Sequence, residues 1–208
     1  TLIDVAAREG IRPIVSRQER TGVNIADGFS RVSNGKRIGV FCMQRGPGAE
    51  NAFGGVAQAY ADSVPILILP GGQPLSRAGV HPGFDAVDHY KGITKWAGYV
   101  NMVERIPEMM GRAFSQLRHG RLGPVLLEIP TDVATGEYPG DTFHYEPVQV
   151  HRSGADLDDV RDLVTALLKA SSPVINAGQG VLYAEATDDL VQFAEMTNIP
   201  VMTTLAGK

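Results

Sequence analysis

The sequence predicts an α/β fold, with a parallel sheet flanked by helices over residues 1–134, a linker at 135–155 and an incomplete second α/β domain at 156–208. Three observations carry this reading. Short β-branched apolar runs alternate with longer segments of helical period through the first part of the chain. Those runs are continuously apolar rather than alternating, as strands covered on both faces are. From residue 135 to 155 the periodicity stops in a stretch rich in Gly, Pro and charge, GEYPGDTFHYEPVQVHRSG, and then resumes.

The chain opens on a helix. Strands are expected at IRPIVS (11–16), RIGVFCM (37–43), VPILIL (64–69), WAGYVN (96–101) and PVLLEI (124–129). Between them, residues 19–32 place Val23, Ala26, Phe29 and Ser30 on one helical face, and 50–61 repeats small residues that let a helix lie close to a sheet. Residues 104–120 carry Ile106, Met109, Met110, Ala113, Phe114 and Leu117 at the same spacing. After the linker, an acidic first turn at 155–160 suits a helix start. A helix to about Ala170, the strand PVINA, a Gly178-Gln179-Gly180 turn, a helix over 185–197 and the strand IPVMTTL follow.

The second unit is shorter than the ~100–150 residues of a usual domain, and the first begins without a strand ahead of its helix. Both are expected to be cut short. The apolar faces of Leu163, Leu167, Val191 and Phe193 are then expected to be partly uncovered.

Composition narrows the function classes. The 208 residues are 43% hydrophobic and 20% charged, which excludes a disordered or collagen-like chain. Nineteen Lys+Arg against 23 Asp+Glu leave a net charge of -4 with both signs scattered, so no basic stripe awaits a nucleic acid. A single cysteine, no Asn-x-Ser/Thr sequon and an opening without a signal-peptide profile point to a cytoplasmic protein. No apolar run approaches the ~20 residues of a membrane helix, so no membrane partner is expected.

In an open parallel sheet, ligands sit beyond the carboxyl ends of the strands, so the loops there are the candidates. The first is Arg17-Gln18-Glu19-Arg20, the second Gln44-Arg45-Gly46-Pro47-Gly48-Ala49-Glu50-Asn51, the third Pro70-Gly71-Gly72-Gln73-Pro74. Glu19 reads either as a first-turn glutamate paired with Arg17 or Arg20, or as an acid/base in a dry cleft. The Gly46-Pro47-Gly48 turn reads either as a tight connection or as bare backbone for a ligand to lie against.

Four ordered motifs add weight: Glu19; Ala26-Asp27-Gly28-Phe29-Ser30-Arg31; Gly46-Pro47-Gly48-Ala49-Glu50-Asn51; and Asp62-Ser63-Val64-Pro65. With them, residues 17–73 resemble the pyrimidine-binding domain of thiamine-diphosphate-dependent enzymes of the acetolactate synthase and 2-oxo acid decarboxylase superfamily. GPVLLEIPTDV (123–133) resembles the end of that domain, and SSPVINAGQGV and IPVMTTLAGK the start of the family's central domain.

The resemblance implies a lyase or transferase that makes or breaks a carbon-carbon bond next to a carbonyl, on a 2-oxo acid. It implies Glu19 as the acid that shares a proton with the cofactor's aminopyrimidine, and Gly46, Pro47 and Gly48 packed against the cofactor, with Asn51 and Gln73 as further contacts. It implies a homodimer or homotetramer, and magnesium held with the diphosphate in a C-terminal domain whose Gly-Asp-Gly motif these residues lack. FAD is compatible with the resemblance, though no residue here speaks for it. The alternative is a non-catalytic nucleotide-binding or regulatory module, in which Glu19 is a helix-start charge and the turn only shapes a loop.

Departures from the family pattern are equally concrete. Gln18 stands where many relatives have histidine, and Gln44-Arg45 where they have Thr-Ser. Gly83-Phe84-Asp85-Ala86 stands near a Phe-Gln-Glu stretch of the acetolactate-forming members, matching only at Phe84, which puts acetolactate synthesis as the specific reaction in doubt. Elsewhere, Cys42 reads as a buried small hydrophobe, His81 and His89 as flanks of a loop overhanging the cleft, and Trp96 and Tyr99 as core. No histidines or cysteines stand at metal-ligand spacing, and Gly178-x-Gly180 is too short for a dinucleotide fingerprint.

Overall fold

The computed structural model describes residues 2–151 and 153–208. Two compact units divide the chain, one running to Val150 and the other from His151 to Lys208.

The first unit holds α1 (Leu2–Arg8), α2 (Glu19–Val32), β1 (Gly39–Met43), α3 (Pro47–Ala61), β2 (Ile66–Gly72), α4 (Ala86–Tyr90), β3 (Trp96–Tyr99), α5 (Ile106–Arg118), β4 (Val125–Pro130) and α6 (Thr131–Thr135). Its four strands pair in the order β1-β2-β4-β3, every pair parallel. The two central strands are apolar, apart from Glu128 near the end of β4, because their side chains meet a helical layer on each face. Ile66, Ile68 and Leu126 point into a cluster with Val23, Ala52, Val56 and Tyr90 on the α2–α3–α4 side. Leu67, Leu69, Val125 and Leu127 join Met109, Ala113, Leu117 and Val133 on the α5–α6 side.

The helix that leads into the site is held unusually close to the sheet. A Cβ on Gly39 would fall 2.0 Å from the Ala26 carbonyl oxygen, so only glycine lets α2 rest on the start of β1. Ser30, fully buried, donates its hydroxyl to the Pro65 carbonyl (2.6 Å) and accepts from the Gly39 N–H (2.8 Å), tying one helix to two strand entrances. The next residue, Arg31, bridges Asp27 (2.6 Å) and Asp62 (2.7 Å), joining α2 to the end of α3. Ser63 then takes a left-handed turn at φ 57° and accepts from Arg121.

Three expectations are corrected. Residues 11–16 form no strand: Pro13 cannot donate to a ladder, and Ile11, Ile14 and Val15 are exposed. Phe29 faces outward from α2, whose buried face is Val23, Ala26, Asp27 and Ser30. Trp96 is half-buried, folded over Gly98 beneath the Arg112 guanidinium 5.2 Å from its ring, a lid on the core.

The second unit comprises α7 (Leu157–Lys169), β5 (Ile175–Ala177), α8 (Gln179–Tyr183), α9 (Thr187–Thr197) and β6 (Val201–Thr203), with β5 and β6 parallel. The expected Gly178-Gln179-Gly180 turn is the entry to α8, with Gly178 as its N-cap. Asp156 caps α7 by accepting from Asp158 and Asp159, which explains the acidic start. Leu163 and Val191 are exposed and Leu167 and Phe193 half-buried, so these helices present apolar faces outward.

Ser30→Ala orphans a buried carbonyl and a buried N–H together. It is expected to cost the first unit about 2 kcal/mol or more in urea unfolding, and a loss under about 0.5 kcal/mol would refute the tie.

Candidate functional site

The carboxyl ends of β1, β2 and β4 open into a cleft of about 510 Å³, lined by Gln44–Pro47, Glu50, Gly71, Gln73, Phe84, His89 and Glu128 among others. Its near wall is the turn after β1. Gly46 caps α3 at φ 63°, ψ -113°, a conformation closed to residues with a Cβ, and Pro47 occupies the first helical position, where its missing N–H costs nothing. From behind, the buried Tyr90 hydroxyl donates to the Ala49 carbonyl (2.5 Å) and packs edge-on against Phe53, so the first turn of α3 is fixed from inside the core. Burial raises the Tyr90 phenol well above its ordinary range, keeping it a donor.

The sequence-predicted residues fall on the two sides of this turn. On one side stand Glu19, Gly48 and Asn51. Asn51 Nδ2 donates to Glu19 Oε2 across 3.4 Å, and Glu19 Oε1 lies 3.6 Å from where a Gly48 Cβ would stand. On the other side Gly46, Pro47 and Gln73 line the cleft. Glu19 is half-buried, and among the described residues it has no ion pair with Arg17 or Arg20. The Arg20 guanidinium lies instead along Gly54. The paired-glutamate alternative is therefore not what the chain forms: one carboxylate oxygen is left directed at bare glycine backbone.

The loop overhanging the cleft contributes Pro82, Gly83 and Phe84, and α4 contributes His89, while His81 is exposed outside the lining. Phe84 and His89 stack with centroids 4.5 Å apart, and His89 Nδ1 meets the Asp85 carbonyl at 2.7 Å. Two side chains after β4 fasten the third loop. Thr131 donates to the Gly72 carbonyl (3.1 Å), and Asp132 accepts from the Leu75 N–H (2.8 Å). Cys42 is half-buried against the α5-side cluster, with its thiol pKa raised by burial, and fits the packing role expected of it.

Glu128 escaped the sequence reading. It is 8% exposed at the carboxyl end of β4, and burial followed by the charge of Asp85 raises its pKa to about 7, although the N–H groups of Val87 and Ala86 pull the other way. The signal was present: one acid interrupts an otherwise apolar strand, PVLLEI. Among the described residues no group of three or more His, Cys, Asp or Glu is placed to hold a metal, and no helix is long and apolar enough to cross a membrane.

With this geometry in view, comparison with known proteins gives a consistent picture. The thiamine pyrophosphate enzyme N-terminal TPP binding domain matches residues 1–92, and the central domain of the same enzymes matches residues 160–208. Glyoxylate carboligase of Escherichia coli O157:H7 is 38% identical over 202 residues, covering 95% of this chain and 34% of that protein. The probable acetolactate synthase large subunit of Methanocaldococcus jannaschii is 37% identical over 206 residues, 94% of this chain and 34% of that protein. The acetolactate synthase large subunit of Lactococcus lactis subsp. lactis is 36% identical over 203 residues, 96% of this chain and 35% of that protein. The chain thus spans about a third of the length of the curated relatives it matches.

Two substitutions separate backbone need from mere turn chemistry. Gly46→Ala should cost about 1–3 kcal/mol in thermal or urea unfolding, because its φ and ψ exclude a Cβ. Gly28→Ala, where a Cβ would meet open space on α2, should stabilise by up to about 1 kcal/mol. Equal effects at both sites would contradict the assignment.

The folded state holds the Glu128 proton more tightly than the unfolded chain does. The stability this contributes is full below about pH 4.5 and is lost as pH rises to about 7. Glu128→Gln should remove that decline, leaving a flatter stability profile in urea titrations between these limits. An unchanged profile would count against a buried carboxyl with a raised pKa.

Proposed function

Because this chain belongs to the thiamine pyrophosphate enzyme family, we propose that the protein it represents is a thiamine-diphosphate-dependent lyase or transferase that makes or breaks a carbon-carbon bond next to a carbonyl, on a 2-oxo acid. The observation that carries the reading is the Glu19 carboxylate, one oxygen held by Asn51 and the other aimed at the bare backbone of Gly48. A carboxylate beside glycine backbone at a strand end suits a flat, nitrogen-rich ring that must come close and share a proton.

Thiamine diphosphate, when bound, supplies the electron sink that such bond changes require. The residues here supply contact and proton control. Glu19 would hold a shared proton at a ring nitrogen of the aminopyrimidine, with Asn51 keeping the carboxylate turned toward it. Gly46, Pro47 and Gly48 would form the surface against which the ring packs, kept in shape by Tyr90. Gln73, across the turn, would meet the reacting part of the substrate or cofactor from the cleft side. Magnesium for the diphosphate, a homodimeric or homotetrameric assembly and a cytoplasmic location complete the proposal by analogy with the family.

In the complete enzyme, Glu19→Gln is expected to preserve the fold and slow exchange of the thiazolium proton by roughly 100-fold or more, the usual worth of a placed acid/base. An unchanged exchange rate in deuterium-quench NMR would sink the role. Gly48→Val should weaken thiamine diphosphate binding by calorimetry, since its Cβ would crowd Gln44 at 3.0 Å and its branches the space before Glu19. Retained affinity with lowered stability would make Gly48 structural only.

A further inference from the structure

The cleft is poor in positive charge. Among the described residues that line it, Arg45 alone is a lysine or arginine, set against the acids Glu50 and Glu128. His89 adds no fixed charge. Its Nδ1 meets the Asp85 carbonyl, which can only accept, so the proton of the neutral ring stays on Nδ1 and Nε2 is left an acceptor. Glu128 is buried against the bare Gly72, while Glu50 lies exposed in the first turn of α3.

Arg45 is free to be used. It stands between the end of β1 and Gly46, with its backbone beside Gly71, where a Cβ would lie 3.8 Å from the Arg45 nitrogen. Neither glycine puts a side chain in its way. Among the described residues its guanidinium has no ion pair or hydrogen bond, whereas Arg31 takes Asp27 and Asp62 and Arg105 takes Glu108. Its N–H donors are open to whatever enters the cleft.

We infer that Arg45 is a specificity-determining residue: its guanidinium takes the carboxylate of the substrate as a two-pronged pair and so selects 2-oxo acids over neutral carbonyl compounds of the same size. The identity of the substrate rests on the reading given under the proposed function. The anion site itself does not.

The planar fork of a guanidinium matches the two oxygens of a carboxylate, and charge on both partners makes such bonds the strong ones. Gln44 and Gln73 bring side-chain amides to the same lining, and the stacked Phe84 and His89 rings offer a flat wall for the carbon part of the ligand. The other oxyanion of the proposed reaction is the diphosphate of the cofactor. Arg45 is assigned to the substrate because it lines the cleft with Gln73, whereas Glu19 and Asn51 hold the opposite side of the turn.

NMR on the full 208-residue chain tests the anion site without any cofactor. Pyruvate should move the Arg45 side-chain Nε–H signal, and added sodium chloride should weaken the effect. Pyruvamide, with the same skeleton and no charge, should leave that signal in place. In Arg45→Gln the side-chain signals of Gln73 and His89 should no longer respond to pyruvate. An Arg45 signal indifferent to pyruvate, an equal response to pyruvamide, or the same cleft response in Arg45→Gln overturns the site.

The complete, cofactor-loaded enzyme tests its use, with pyruvate or glyoxylate as substrate, whichever is turned over faster. Arg45→Gln should raise KM roughly tenfold or more, the worth of a charge-assisted pair, with kcat changed far less, and Arg45→Lys should recover part of the loss. Calorimetry should give variant and wild type the same affinity for thiamine diphosphate. Weakened cofactor binding would assign the guanidinium to the diphosphate, and an unchanged KM or a fall in kcat alone would deny it the substrate; each overturns the inference. A wild type that turns over neither acid, while the chain still shows the charge-selective titration, would refute the proposed function and leave the anion site standing.

Discussion

The hydroxyl of Ser30 sets the geometry on which the site depends. By donating to Pro65 and accepting from Gly39, it fixes the end of α2 against the entrances of two neighbouring strands. Because α2 is a rigid rod, the position of its far end follows, and that end carries Glu19. The contact is close enough that Gly39 cannot carry a side chain. The Asp27–Arg31–Asp62 bridge adds the second fixed point, joining α2 to α3, whose opposite end carries Gly48 and Asn51. Two helices clamped at their remote ends therefore bring an acid and a glycine turn together at the other.

That arrangement divides the four motifs by physical role. Ala26-Asp27-Gly28-Phe29-Ser30-Arg31 and Asp62-Ser63 are the clamp, made of buried or half-buried polar groups with specific partners. Asp27 shows the cost of such a joint: its Oδ1 is buried with no hydrogen-bond partner, tolerated because Oδ2 bears a short charge-assisted bond to Arg31. Glu19 and the Gly46-Pro47-Gly48 turn are the part left open. A single-sequence reading gives all four motifs equal weight, since side-chain partners across 30 residues of chain leave no local pattern.

Legibility in the sequence followed the same line between local and non-local causes. The parallel sheet and its helices were legible because burial on both faces writes continuous apolar runs into the strands, and α2 could be placed at residues 19–32 from periodicity alone. Residues 11–16 misled because β-branched composition says nothing about whether a partner strand lies alongside, and Pro13 was outweighed. Glu19, the glycine turn and Asn51 were found through motif order, and geometry brought them within reach of one another. Glu128 and Tyr90 were not found. Each meets a residue distant in sequence, Tyr90 the Ala49 carbonyl and Glu128 the bare Gly72, and neither spacing resembles a motif.

The departures at Gln18, Gln44 and Arg45 gain meaning from the same division. Gln18 precedes α2 in extended conformation and makes no side-chain cap, so exchanging its side chain leaves the helix start unchanged. Gln44 and Arg45 are exposed at the end of β1, and the turn that follows is shaped by the backbone of Gly46, the ring of Pro47 and the Tyr90 bond from behind. None of the three positions carries the clamp or the turn. They can vary without moving Glu19 against Gly48, and Gln44 and Arg45 do so on the surface of the cleft itself. A scaffold that assigns its geometry to buried partners and backbone conformation leaves its strand-end side chains free to vary, so the residues least like the family pattern lie where their exchange leaves the fold undisturbed.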